Sequence, residues 1–158
     1  MDQTQLESVE KRLTVYLAGW AAGSVALGSA LAIAGRLQGR EQVERFGRQT
    51  LAWGAVDGII AGVGVLSRRR RGVLSAADVA DKSRNLRNLL LANAAADVAY
   101  LVAGSAIWLR GRTGRTTVRL DAGDGLAIVI QGGFLLVVDS IHAVELGGGS
   151  WRQRQESN

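Results

Sequence analysis

Four long stretches of the chain are almost free of charge, and the charged residues crowd between them. A spanning helix needs about 20 mostly apolar residues at about 1.5 Å of rise each. Residues 13–35 meet this, with no ionisable side chain except the Tyr16 phenol. Residues 50–67 form a shorter run broken by Asp57. Residues 89–109 contain Asn93 and Asp97, and residues 125–146 contain Gln131, Asp139, His142 and Glu145. An Asp at the centre of a spanning helix costs about 2.5–3.5 kcal/mol on insertion. The second run is still read as a span, because it ends in the arginine run 68–71, which suits an interfacial anchor. An amphipathic surface helix would carry charge along a whole face, and this run has Asp57 alone. The pattern therefore predicts an all-α fold. It is a single membrane domain over residues 1–158, four transmembrane helices packed up-down-up-down as a bundle.

Little remains outside these runs. Residues 1–12 read as a short polar helix, with Glu7 and Lys11 one helical turn apart. Residues 36–49 read as a charged turn. Residues 68–88 read as the longest loop, in which Ser75 and Asp78 suit the start of the third helix. In 110–124, Asp121 or Asp124 suits the cap of the fourth. Three glycines at 147–149 predict a break into a mobile tail. Lys11 and Arg12 before the first run, and Ala32-Ile33-Ala34 near its end, resemble a signal peptide. The apolar run is long for one, and three more spans follow, so a retained helix is the better reading. No segment outside the runs is long enough for a soluble catalytic domain.

Composition narrows the chemistry. There is no Cys, which removes disulfides, thiol nucleophiles and cysteine metal sites. One His cannot by itself build a zinc site. No cofactor is implied, and any metal is left unspecified. Basic residues are 17 Arg against 2 Lys, an Arg bias that suggests a GC-rich bacterial genome. The arginines sit at the ends of apolar runs, so the expected partner is the bilayer, with anionic headgroups at the arginine run 68–71, rather than nucleic acid. Lys and Arg near span ends number 11 on the side shared by both termini and the middle loop, against 8 on the other. That excess places both termini in the cytoplasm of a bacterium with the chain in its inner membrane.

The informative residues are the acids inside the spans. Asp57 and Asp97 fall near the centres of their runs and Asp139 a few residues past the centre of the fourth, so all three fit one shallow slab. None can face lipid at low cost, and all should point into the bundle. No Lys or Arg lies within a span to pair with them. The acids must then be neutral and hydrogen-bonded, share protons, or hold a cation. The candidate ligand or ion site is Asp57, Asp97, Asp139, Asn93 and Gln131. Supporting partners are Ser24, the Trp20 and Trp53 indoles, Tyr100 and His142. Asp139, His142 and Glu145, each three residues apart, suggest a polar track toward the cytoplasmic face. His142 alone, near a helix end, reads better as an interfacial polar residue. The competing reading is that buried polar groups only hold helices together, each contributing about 0.6–2 kcal/mol.

Glycine spacing suggests where helices approach. Gly54, Gly58 and Gly62 form two overlapping GxxxG units, and Gly19 and Gly23 form another. These suit packing within the bundle, with a homodimer through the glycine faces as the alternative. Trp108 and Trp151 read as interfacial anchors. Ser24, Asp57, Asp97 and Asp139 recur at successive spacings of 33, 40 and 42 residues, which hints at a duplicated hairpin. There is no Pro, so proline-broken helices of rocking transporters are not expected.

The third span reads Asn93-x3-Asp97-x2-Tyr100, and the fourth reads Gln131-Gly132-Gly133-Phe134-Leu135-Leu136-x2-Asp139. In these two elements the chain resembles a family of small uncharacterised bacterial four-helix membrane proteins. The resemblance implies a four-helix bundle and no known activity, substrate or cofactor. Asp57 stands where the family pattern leads one to expect an amide. The leading expectation is a membrane protein whose buried carboxylate-lined centre binds a proton, a small cation or a small polar ligand. The alternative is a non-catalytic membrane subunit or assembly protein. An enzyme ranks third, because no nucleophile is paired with a base.

Overall fold

Helix-forming residues fill nearly the whole chain, and the breaks are short and chemically marked. A computed structural model describes residues 1–113 and 120–156, with side chains through residue 148. Helix α1 (Gln3–Leu37) starts at a capping box in which Asp2 and Gln5 bond each other's backbone N–H. It ends before Gly39, whose φ of +64° needs a residue without a Cβ. Helix α2 (Glu41–Arg69) begins two residues later, so the charged turn expected over 36–49 shrinks to three residues, 38–40. Ser75 and Asp78 form the expected capping box and open α3 (Ala76–Arg112). The expected loop over 68–88 is thus mostly helix. Asp121 Oδ1 accepts from Gly123 N at 2.7 Å, and Asp124 Oδ2 accepts from Asp121 N at 3.0 Å, so both expected acids act at the start of α4. Helix α4 (Ala122–Glu156) continues through the glycines at 147–149. The expected break there is not seen, because glycine lowers helix propensity without blocking the hydrogen-bond ladder. The Trp151 side chain lies outside the described residues.

Each apolar run lies inside one helix, and all four helices are long and apolar enough to cross a membrane. With 35 residues α1 is longer than a span requires. Its first turns, the start of α3 and the end of α4 extend past the apolar runs at the same end of the bundle. There they build the apolar core: Leu6, Val9, Val79, Leu90, Ala143 and Leu146, with Met1, Leu13, Leu74 and Leu86 against it. Most of this core lies at or beyond the ends of the apolar runs, where water makes apolar burial favourable. Along the runs, by contrast, large apolar side chains such as Ile33, Ile59, Val63, Val102, Ile141 and Val144 point outward.

Within the runs the helices meet at glycines. The chain pairs α1 with α2 and α3 with α4, and the two hairpins join mainly where α2 meets α4. A Cβ at Gly47 would lie 2.3 Å from Ala32 N and 2.7 Å from Gly28 O. A Cβ at Gly125 would lie 2.3 Å from Trp108 N and 2.7 Å from Gly104 O. Gly35 meets the Glu44 backbone and Gly111 meets that of Ala122 in the same way. The hairpins are therefore repeats of one design. Gly28-Ser29-Ala30 and Gly35-Arg36 in α1 answer Gly104-Ser105-Ala106 and Gly111-Arg112 in α3. Gly47 and Gly54 in α2 answer Gly125 and Gly132 in α4, each pair seven residues apart. The glycine register recurs in both hairpins, whereas the polar residues that hinted at a duplication do not follow it. In that register Asp97 answers Ala21 rather than Ser24, and Asp139 answers Ala61 rather than Asp57.

The GxxxG units are only partly used. Gly54 is a tight contact on Ser24, and Gly58 is in ordinary contact with Ala21. Gly19, Gly23 and Gly62 have nothing within 4 Å. Gly19 lies nine residues from Gly28, which at about 100° per residue is the opposite face of α1.

This predicts a contrast between two glycine substitutions. Gly125→Ala should lower the melting temperature in detergent, because overpacking against backbone costs about 1–3 kcal/mol or more. Gly62→Ala should leave it unchanged or slightly raised. Equal effects at the two positions would contradict the glycine-crossing geometry.

Candidate functional site

The interior between the glycine crossings is polar. Asp57, Asp97, Asp139, Gln131, His142 and Ser24 are each 5% exposed or less. Helices place them by periodicity: Asp57 is one turn from Trp53 on α2, Asp97 one turn from Asn93 on α3, and Gln131 two turns from Asp139 on α4.

One chain of bonds joins three helices. The Trp20 Nε1–H of α1 donates to Gln131 Oε1 of α4 at 2.8 Å. The Gln131 Nε2–H donates in turn to Asp57 Oδ2 of α2. Trp20 is held flat on Phe134, ring centroids 4.0 Å apart and planes within 6°. The stack fixes the indole, the indole fixes the amide orientation, and the amide presents its donor to the acid. A second pair, Asp139 of α4 and Asn93 of α3, lines one cavity toward the end of the bundle that holds the termini.

Asp97 lies between these sets. It is buried on α3 within electrostatic reach of Asp57 and Asp139. Its Oδ2 is buried and has no hydrogen-bond partner. Trp53 Nε1 is a second buried polar atom without one. The Trp53 ring stands edge-on to Tyr100, centroids 5.5 Å apart. The described interior thus holds one orphaned acceptor on α3 and one orphaned donor on α2. Leaving such a group unpaired costs about 1–3 kcal/mol.

Other candidates fall elsewhere. Ser24 sits at the α1–α2 crossing, where a Cβ on Gly54 would lie 2.7 Å from its Cβ. His142 is buried, which corrects its reading as an interfacial residue: α4 runs on past it, and α1 covers it through Tyr16, ring centroids 5.8 Å apart. Its Nδ1 lies 2.7 Å from Val138 O, which can only accept, so Nδ1 carries a proton. Glu145 pairs with Arg12. Among the described residues no hydrogen bond links Asp139, His142 and Glu145, so the track expected along α4 is not continuous. Trp108 is half-buried beneath the Arg112 guanidinium, 5.4 Å from the ring centroid.

A cavity of about 320 Å³ reaches the site. It lies where α2 and α3 make no backbone contact, with Asn93 and Asp139 at its inner end and Glu10, Arg68 and Arg71 at its outer end. Arg71 binds both Glu10 carboxylate oxygens at 2.8 Å. Arg68 donates to Glu10 O at 2.9 Å and to Thr14 Oγ1 at 2.6 Å. Sequence reasoning missed Glu10, Thr14 and Phe134. Their partners lie on other helices, and nothing in the local pattern signals them. Among the described residues no group of three His, Asp or Glu side chains is placed to hold a metal ion.

Four helices able to span a bilayer, joined round a buried polar centre, fit a small multi-pass membrane protein. The chain belongs to a family of unknown function, DUF6992, whose model matches residues 16–140. The matched segment contains Asp57, Asp97 and Asp139 together with Trp20, Asn93 and Gln131. No curated protein and no solved structure matches the chain.

Gln131 is the joint of the site. Gln131→Leu removes the acceptor of Trp20 and the donor of Asp57 at once. Two buried groups left unpaired should cost about 2–6 kcal/mol, the single-group penalty applied twice. Thermal unfolding in detergent measures this, and Trp emission should shift as the indole loses its partner. A wild-type melting curve and spectrum would show that the three side chains are not joined.

Proposed function

We propose that the chain is a multi-pass protein of the bacterial inner membrane whose mid-membrane acids bind and release a proton. The observation that supports this best is the state of Asp97. Asp57 takes a bond from the Gln131 amide, Asp139 lines a cavity beside Asn93, and Asp97 Oδ2 has no donor among the described residues. A buried carboxyl oxygen without a donor is where a proton or cation would bind at greatest gain. A proton suits the arrangement better than a metal ion, because among the described residues no three acidic or His side chains gather as a ligand set. Neighbouring acids within electrostatic reach make proton uptake at one depend on the others. The crevice between α2 and α3 gives Asp139 an approach from the bundle end.

Asp97→Asn tests this. The amide keeps the shape of the carboxyl, so the fold and melting temperature should survive. Infrared difference spectra across a pH titration should show a carboxyl C=O band in the wild type that the variant lacks. Identical spectra would mean that Asp97 exchanges no proton, and the reading would fail.

A second reading is favoured by a different surface. A groove of about 490 Å³ between α1 and α2 is lined by small residues, Ala18, Ala22, Gly58 and Gly62 among them. Such a face suits helix packing with another membrane chain. On that reading the chain is an assembly subunit, and the titration above would be silent.

We also place both termini in the cytoplasm, from the basic residues clustered at the bundle end that holds Arg12 and Arg68. Reporter fusions after Ser67 and after Asn158 should both report cytoplasm. A periplasmic signal from the tail would reject either the span count or the orientation.

A further inference from the structure

The crevice between α2 and α3 has a chemistry of its own, separate from the acids at its inner end. Its walls are apolar: Ile60 and Val63 on α2, Leu86 and Leu89 on α3. Ile60, Val63 and Leu89 are also exposed, so the crevice opens onto the surface that faces lipid. No backbone contact closes it, because α2 and α3 belong to different hairpins and meet only through side chains. Its outer end is charged. Arg71 is neutralised by Glu10, with both side chains largely buried. Among the described residues Arg68 has no ion-pair partner: both of its hydrogen-bond acceptors, the Glu10 carbonyl and the Thr14 hydroxyl, are uncharged. These bonds use Nη1 alone, which leaves Nε and Nη2 to donate. They also fix the guanidinium at the mouth, so little further ordering is needed to bind an anion there. From Ile60 to Arg68 the crevice runs about 12 Å along α2, at about 1.5 Å per residue.

A narrow apolar slot open to lipid, with an uncompensated and oriented guanidinium at its surface end, matches one occupant. We propose that the crevice seats one anionic phospholipid, its phosphate on Arg68 and one acyl chain against Ile60, Val63, Leu86 and Leu89. Arginine suits phosphate because its donors form a planar fork. A neutral phospholipid presents a phosphate too, but its own ammonium or choline group offsets the charge that Arg68 lacks. The site stands whether or not the acids exchange a proton, since none of the four walls is an acid.

The full chain is extracted in mild detergent from vesicles of mixed phosphatidylcholine and phosphatidylglycerol, and retained lipid is counted by native mass spectrometry. The wild type should keep one phosphatidylglycerol per chain in preference to phosphatidylcholine. Arg68→Gln should weaken retention about tenfold, which corresponds to about 1.4 kcal/mol. Arg69→Gln, which alters an exposed arginine outside the crevice, should leave retention unchanged. Ile60→Trp keeps Arg68 and narrows the slot, so it should also lower retention. It keeps the question open to test if Arg68→Gln fails to fold. Equal loss in Arg68→Gln and Arg69→Gln would mean a diffuse basic surface and would overturn the proposal. So would equal retention of the two lipids, or full displacement by inorganic phosphate, which would make this a free-phosphate site.

Discussion

In a bilayer the hydrophobic effect does not pull helices together, because lipid tails are as apolar as leucine. What remains is close backbone approach and the bonding of polar groups away from lipid. Both are visible here, and they divide the work along the chain. Where α1 meets α2 and α3 meets α4, glycines let backbones touch. Between those crossings, where two hairpins must be held together, Trp20, Gln131 and Asp57 connect α1, α4 and α2. The apolar core lies mainly at and beyond the ends of the apolar runs, in the helical extensions past them.

The recurring glycine contacts set the faces on which the polar centre sits. Each hairpin closes on itself through the same glycine register, which fixes which faces remain for the other hairpin. The facing residues differ between the copies. In the glycine register Trp53 answers Gln131, so one copy supplies an indole where the other supplies an amide. Asp97 and Asp139 answer alanines, Ala21 and Ala61. Asp57, in the first hairpin, answers Leu135 of the second, so none of these three carboxyls belongs to the shared register.

Much of this was legible from one chain. Apolar runs located the four helices, because length and charge depletion are local properties. The depth of Asp57, Asp97 and Asp139 followed from the same runs, and so did their turning inward. Ser75-Asp78 and Asp121-Asp124 announced helix starts, because capping is also local. Partners were not legible. Gly19 and Gly23 matched the packing motif as well as any glycine, yet the face that packs is set by Gly28 and Gly35. Ser24 had the right depth and fell on the hairpin crossing. His142 was misjudged because the length of α4 beyond it could not be seen through the glycines. Arg68, taken as one of four equal anchors, proved different from Arg71 only when Glu10 arrived from another helix.

The central claim is that a buried amide on α4 joins an acid on α2 to an indole on α1. Solid-state NMR of the full chain in lipid bilayers tests it most directly. The account predicts a through-space cross-peak between the side-chain 15Nε2 of Gln131 and the 13Cγ of Asp57, with amide protons slow to exchange with water. A Gln131 amide that exchanges as fast as that of an exposed glutamine, and shows no contact with Asp57, would contradict it.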